Sequence, residues 1–281
     1  MKITVLGATG MVGSAVAEHF SEVYGYENVI RTSRSRITHA DENRNARETW
    51  VQFTTVNCFL DKAIPHDTDY VFNCIGVIKP LVEKYGTHST IEINSVFPHI
   101  LEEYCENYGI KLIHLSSDCV FDGSCGDRLE NDTPDASDLY GRTKALGEPI
   151  TSAMTLRTSI IGREPYRIIG VSLVAWAQRM AGQDVNGYVN HFWNGMTSKT
   201  YAECCDTIID AELFTPGMYH IFSPTPVSKC ELVQLISNVF QLNLTVNPVV
   251  APHPMNMTLC SDFDLCLDLD IPELVDQMKG L

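Results

Sequence analysis

The sequence predicts a doubly wound α/β fold, a parallel sheet covered by helices on both faces, with a small C-terminal cap. Two observations carry this. Short apolar runs alternate with helix-period segments through residues 1–162, and such alternation builds βαβ units around a parallel sheet. The runs are also almost continuously apolar, as in "YVFNCIGV", which suits strands buried on both faces.

The first strand is "KITVL" (2–6), and glycines interrupt the apolar stretch that follows, so it does not read as a signal peptide. A helix comes next, with Val12, Ala15, Val16, Phe20 and Val23 on one face. Further strands are expected at 27–33, 68–76, 110–117 and 154–162. Before the fourth lies a helix with Val96, Phe97, Ile100, Leu101 and Tyr104 on one face. After residue 162 the pattern loosens into segments rich in Gly, Asn and aromatics. Two helices remain legible there, "SLVAWAQRMA" and "SKCELVQLISNVFQL", the second opened by a capping box of Ser228 and Glu231. The expected division is a dinucleotide-binding domain at 1–162 plus about 194–221, and a substrate cap at about 163–193 plus 222–281.

Composition narrows the function. With 281 residues, 44% of them hydrophobic, the chain can bury one large core. It contains no apolar run long enough to span a bilayer, so no membrane partner is expected. A net charge of −15 argues against a nucleic-acid partner and requires that an anionic ligand meet a local concentration of basic residues. Ten cysteines are scattered without metal-ligand spacing; they read as core residues in a reducing, cytoplasmic setting, and no metal site is expected.

Gly7, Gly10 and Gly13 in "VLGATGMVG" follow a strand and open a helix. Glycine permits positive φ and close backbone approach, and a helix N-terminus offers free N–H groups, so the stretch reads as a pyrophosphate cradle. The acid that would hold an adenosine ribose diol at the end of the second strand is missing. The sequence there is "RTSRSR", in which Ser33, Arg34 and Arg36 would suit a 2′-phosphate. NADPH is therefore the expected cofactor, with NADH the other option. Thr9, Met11, Val12 and Asn57 are among the expected dinucleotide contacts.

Beside such a cofactor, Tyr140 and Lys144 in "LYGRTKALGE" acquire a chemistry. Reducing a ketone requires a proton for the forming alkoxide, and a neighbouring cation makes a phenol a better acid. "HLSSDCVF" supplies Ser116 and Ser117 at the end of the preceding strand, at the edge where such folds bind ligands.

Together "GATGMVG", "FNCIG", "INSVFP", "HLSSDCVF" and "LYGRTKALGE" resemble the extended short-chain dehydrogenase/reductases, and within them the dTDP-4-dehydrorhamnose reductase-like group of nucleotide-sugar reductases. The resemblance covers nearly the whole chain. It implies a Rossmann core, with Tyr140 as proton donor, Lys144 as the residue that tunes it, and Ser117 as the hydroxyl that orients the carbonyl. It also implies Asn94 near the active site, and Cys74, Ile75 and Gly76 along the cofactor. Two departures stand out. Cys119 occupies a position where these reductases often have tyrosine, and no glutamate follows Asp118, which argues against dehydration. Expected substrate contacts are Lys79, Ser117, Asp118, Cys119, Tyr140, Arg163, His191, Trp193 and Asn194. Arg157 and Arg167 are further sources of positive charge, whereas Arg142 should face solvent and His114 should be a core histidine.

The implied function is NADPH-dependent reduction of the 4-keto group of a nucleotide-linked 6-deoxyhexose. Three rivals stay open: a 4-epimerase retaining bound NAD, a non-catalytic regulatory subunit similar to the methionine adenosyltransferase β-subunit, and an NADPH-binding redox sensor. The sugar, the nucleotide (dTDP or UDP) and the oligomeric state, a homodimer included, are left open.

Overall fold

A computed structural model describes residues 1–34, 49–55, 60–167 and 169–281. The first βαβ unit is β1 (Ile3–Leu6), α1 (Met11–Tyr24) and β2 (Val29–Ser33), followed by β3 (Thr49–Gln52), α2 (Leu60–Ala63) and β4 (Tyr70–Asn73). Helices α3 (Val82–Ile91) and α4 (Phe97–Tyr108), joined by a π-helical turn at Glu92–Val96, lead to β5 (Lys111–Leu115), α5 (Leu139–Leu146) and β6 (Ala153–Arg157). Next come β7 (Ile160–Ile161), α6 (Leu173–Arg179), β8 (Asp184–Tyr188), β9 (His191–Trp193), β10 (Met196–Thr197) and α7 (Ser198–Asp210). The chain continues through β11 (Gly217–His220), β12 (Val227–Ser228), α8 (Lys229–Val239), β13 (Thr245–Val249) and β14 (Met255–Asn256). It then forms α9 (Leu265–Asp268) and α10 (Leu274–Met278).

Seven strands form one parallel sheet in the order β11-β6-β5-β4-β1-β2-β3. The chain moves outward from β1 to β3 and then returns to the other side of β1. A crevice therefore opens at the carboxyl ends of β1 and β4, the switch point where doubly wound folds bind ligands. The expected parallel sheet is present, with three differences. The run 154–162 forms two strands, β6 in the sheet and β7 paired with β10 outside it. Strands β3 and β11 were not foreseen, because each forms an edge of the sheet and carries no continuous apolar run. On α4, Phe97 and Leu101 are buried while Val96 and Ile100 are exposed, so this helix buries a narrower stripe than its sequence suggests.

On one face of the sheet α1 and α7 cover a core in which Phe20 stacks on Phe72. On the other, Phe97 and Leu101 pack on Leu6, Val71 and Leu112. The cap has its own core of Val174, Trp193, Leu232, Ile236 and Met278, bordered by the three-stranded β12-β9-β14 sheet and the β13-β8 pair. Leu265, Leu269 and Ile271, expected in the cap, pack into the main core instead.

A buried acid ties the end of β11 to the segment that follows β14. The Glu130 carboxylate accepts from His220 N (2.9 Å), Ser261 Oγ (2.5 Å) and Asp262 N (3.1 Å). Among the described residues no helix is long and apolar enough to cross a membrane, and no group of three or more His, Cys, Asp or Glu could hold a metal ion. The nine described cysteines are free.

Candidate active site

The glycine loop is shaped by close backbone approach. Gly7 has φ +81°, and a Cβ on Gly13 would lie 2.2 Å from Gly7 O, so the first helical turn of α1 can close on the end of β1 only without a side chain there. Thr32 on β2 fixes the loop from the side, its Oγ1 accepting from Gly7 N at 3.0 Å. Helix α1 starts at Gly10 with no side-chain cap and no acid in its first turn. Its positive end is thus left facing the crevice, as anion binding requires.

Two cavities meet at this point. One, of about 390 Å³, runs past Gly7, Thr9, Ser33 and Arg34 at the end of β2. The other, of about 350 Å³, runs past Met11, Val12, Tyr140 and Lys144 toward Trp193 in the cap. Gly10, Cys74, Ile75, Gly76 and Arg167 line both, so the two are ends of one cleft.

Helix α5 brings Tyr140 and Lys144 to the second cavity. Asp138 caps it, accepting from Gly141 N at 2.9 Å, and Lys79 pairs with the same carboxylate at 2.7 Å. Lys144 is buried, and its ammonium donates to Leu115 O at 2.8 Å. Burial pushes its pKa down to about 8, against the opposing pull of Glu148. Burial also pushes the Tyr140 phenol above its ordinary value, with Cys119 adding to the rise, while the nearby Ser117 hydroxyl acts in the opposite sense. The expected lowering of the phenol by Lys144 is therefore not seen. The ammonium is engaged with a backbone carbonyl, and loss of water around the phenol outweighs it.

Asn94 sits in the π-helical turn and is fully buried. Its Oδ1 accepts from Val77 N at 2.8 Å and its Nδ2 donates to Val77 O at 3.0 Å and to Thr143 Oγ1 at 3.3 Å. It thereby fixes the strand-end segment 74–77 against α5 and does not itself line either cavity. π-turns of this kind concentrate at functional sites.

Sequence comparison decides the family: residues 1–258 match the model described as the RmlD substrate binding domain. The chain belongs to that family. This RmlD-type chain is 25% identical over 279 residues to methionine adenosyltransferase 2 subunit beta of Xenopus tropicalis, covering 92% of this chain and 80% of that one. In fold it is similar to a hypothetical dTDP-4-dehydrorhamnose reductase from Sulfolobus tokodaii, with a TM-score of 0.76, 20% identity and 99% of each chain covered. A dTDP-4-dehydrorhamnose reductase from Bacillus anthracis str. Ames, solved in complex with NADP, aligns with a TM-score of 0.70 at 16% identity, over 99% of this chain and 97% of that one.

Within this RmlD-type site the candidates separate into those that face the cleft and those that hold its frame. Trp193 lines the second cavity. Ser117 caps the turn after β5, Cys119 N donating to its Oγ at 3.1 Å, and Ser116 takes the place on the cavity wall. Asp118 is buried beside it, accepting from Ser117 Oγ at 3.1 Å. Other candidates are committed elsewhere. Asn194 exchanges two hydrogen bonds with the Leu259 backbone, at 2.8 and 2.9 Å, which clamps its amide there. His191 Nε2 meets His253 O at 2.9 Å. Arg163 is exposed and lies over the Phe240 ring. Arg157 is buried and paired with Glu148 at 2.7 Å. None of these four lines either cavity. Arg142 is exposed. His114 is a core residue whose Nδ1 faces Asn73 Nδ2 at 3.0 Å while its Nε2 has no hydrogen-bond partner among the described residues. Arg36 and Asn57 fall outside the described residues.

Among the cavity residues that sequence reasoning missed are Tyr85 and Lys229. Tyr85 faces the Arg34 end, its ring under that guanidinium at 5.5 Å. Lys229 lines the Trp193 end. Tyr85 lies in a helix the sequence did not suggest, and Lys229 in one whose pattern spoke only of capping.

Proposed function

We propose that the chain is an NADPH-dependent reductase of the 4-keto group of a nucleotide-linked 6-deoxyhexose. The observation that carries this reading is the convergence of the uncapped start of α1 with Tyr140 and Lys144 on one cleft at the switch point. The loop fits a dinucleotide, because α1 closes tightly on Gly7 where Gly13 has no side chain, and its uncapped N-terminus faces the cleft. Gly7, Thr9 and Gly10 would receive the pyrophosphate, Ser33 and Arg34 the adenosine end, and Cys74, Ile75 and Gly76 the length between. Reduced nicotinamide, when bound, supplies a hydride. NADPH is the favoured donor and NADH the other option.

The chain's own part is proton delivery and positioning. A phenol that burial keeps protonated gives up its proton only to a stronger base, and the alkoxide formed on ketone reduction is one. Tyr140 is assigned as that donor. Ser117, next to the phenol, orients the carbonyl oxygen. Lys144, anchored on Leu115 O, presents a cation to the ribose side of the cleft. Asn94 keeps these parts in register.

The test is to incubate the protein with NADPH and a panel of nucleotide-linked 4-keto-6-deoxy sugars while following absorbance at the reduced-nicotinamide band. Consumption with one sugar supports the reading. The Xenopus tropicalis relative is compatible with a second reading, a non-catalytic NADP-binding regulatory subunit. Binding of NADPH with no consumption on any sugar, together with copurification of a partner, would support that reading instead.

A further inference from the structure

At the cap end of the cleft, Lys229 opens α8 directly after its N-cap Ser228. A cation is unfavourable there, because the N-terminus of a helix already carries positive partial charge. Helix stability therefore does not explain it. The side chain instead reaches the cavity wall, with its ammonium over the Trp193 ring at 5.3 Å.

The other cations on this cavity are engaged. The Lys144 ammonium donates to Leu115 O at 2.8 Å, and Arg167 pairs with Glu164 at 3.3 Å. Lys229 makes neither a hydrogen bond nor an ion pair among the described residues. Asp118 acts on it electrostatically from behind the wall, and burial drives its pKa down. A partly buried cation on a cavity wall, in a protein of net charge −15, is costly to keep without a counter-ion.

We infer that the Lys229 ammonium, held over Trp193 with no hydrogen-bonded or ion-paired anion among the described residues, pairs with an anionic oxygen of the substrate at the cap end of the cleft. That oxygen belongs to the diphosphate, the one anionic group of a nucleotide-linked 6-deoxyhexose. The inference rests on the cleft being a nucleotide-sugar site and names a specificity-determining residue within it. Asp118 compensates the charge in part, and the ligand's oxygen completes the compensation.

The experiment is calorimetric titration of the NADP-loaded protein with UDP-glucuronate, UDP-glucose and dTDP-glucose, for wild type and for Lys229→Met, Lys229→Arg and the exposed control Lys199→Met. Loss of a desolvated charge partner should weaken binding by about 10- to 100-fold in Lys229→Met, with partial rescue in Lys229→Arg and no change in Lys199→Met. An equal loss on every ligand bound supports the diphosphate as the partner, and a loss confined to UDP-glucuronate overturns the inference. Wild-type affinity in a folded Lys229→Met, checked by thermal melting, overturns the inference while leaving the site reading intact. Equal losses in Lys229→Met and Lys199→Met overturn it as well, since they report net charge alone. If wild type binds none of the three ligands and none of the 4-keto-6-deoxy sugars, the nucleotide-sugar reading fails and the inference fails with it.

Discussion

The two ends of the cleft are built from different materials. At the β1–α1 end the wall begins with a loop whose shape follows from where side chains are missing, and Arg34 and Tyr85 lie further along it. At the cap end it is side chains, Tyr140, Trp193 and Lys229, projected from elements whose main chain is engaged elsewhere. The difference teaches that one site can be general at one end and selective at the other. Backbone N–H groups recognise any pyrophosphate, whereas a cap wall can be changed one residue at a time without disturbing the cradle.

Substitutions can separate the two ends. Tyr140→Phe should give the largest effect, lowering kcat by about 10²- to 10⁴-fold on whichever keto-sugar proves active and leaving dinucleotide affinity as it was. A loss of affinity equal to the loss of turnover would mean that the ends are not separable. Gly13→Val is the converse. Its branched side chain would collide with Gly7 O, and dinucleotide affinity by fluorescence titration should fall by about tenfold or more, with the cap fold retained by circular dichroism.

A smaller effect concerns Lys144, which titrates at about 8 in the fold and near 10.5 when free. Between those values the unfolded chain holds a proton that the folded chain has released, so stability gains with rising pH across that window. Wild type measured against Lys144→Met should therefore gain at most about 3 kcal/mol from pH 8 to pH 10.5. A flat or falling difference in denaturant midpoints would contradict the buried position of the ammonium. Asp138→Ala comes last. Losing the α5 cap costs about 1 kcal/mol and roughly 2 °C in melting temperature, since the exposed Lys79 pair adds little.

How much could be read from the sequence follows the same divide. The loop was legible because glycine spacing after a strand reports a backbone requirement, and backbone requirements are local. Tyr140 and Lys144 were legible because one helical turn joins them. Asn194 misled, since an amide within an aromatic, Gly-rich segment reads equally well as a ligand contact or a clamp, and only the position of Leu259 decides. Lys229 was hidden because a capping box accounts for its neighbours so completely. Strand β11 was missed because an edge strand needs no apolar run, and the burial of Leu265, Leu269 and Ile271 against the main core depends on contacts far away in the chain.

The Glu130 carboxylate has a consequence for where the molecule first opens. By gathering the end of β11 and residues 261–262 onto one buried acid, it stitches the return of the chain to the rim of the sheet. Removing that acid should release this segment ahead of the strands, seen as faster amide exchange at 261–262.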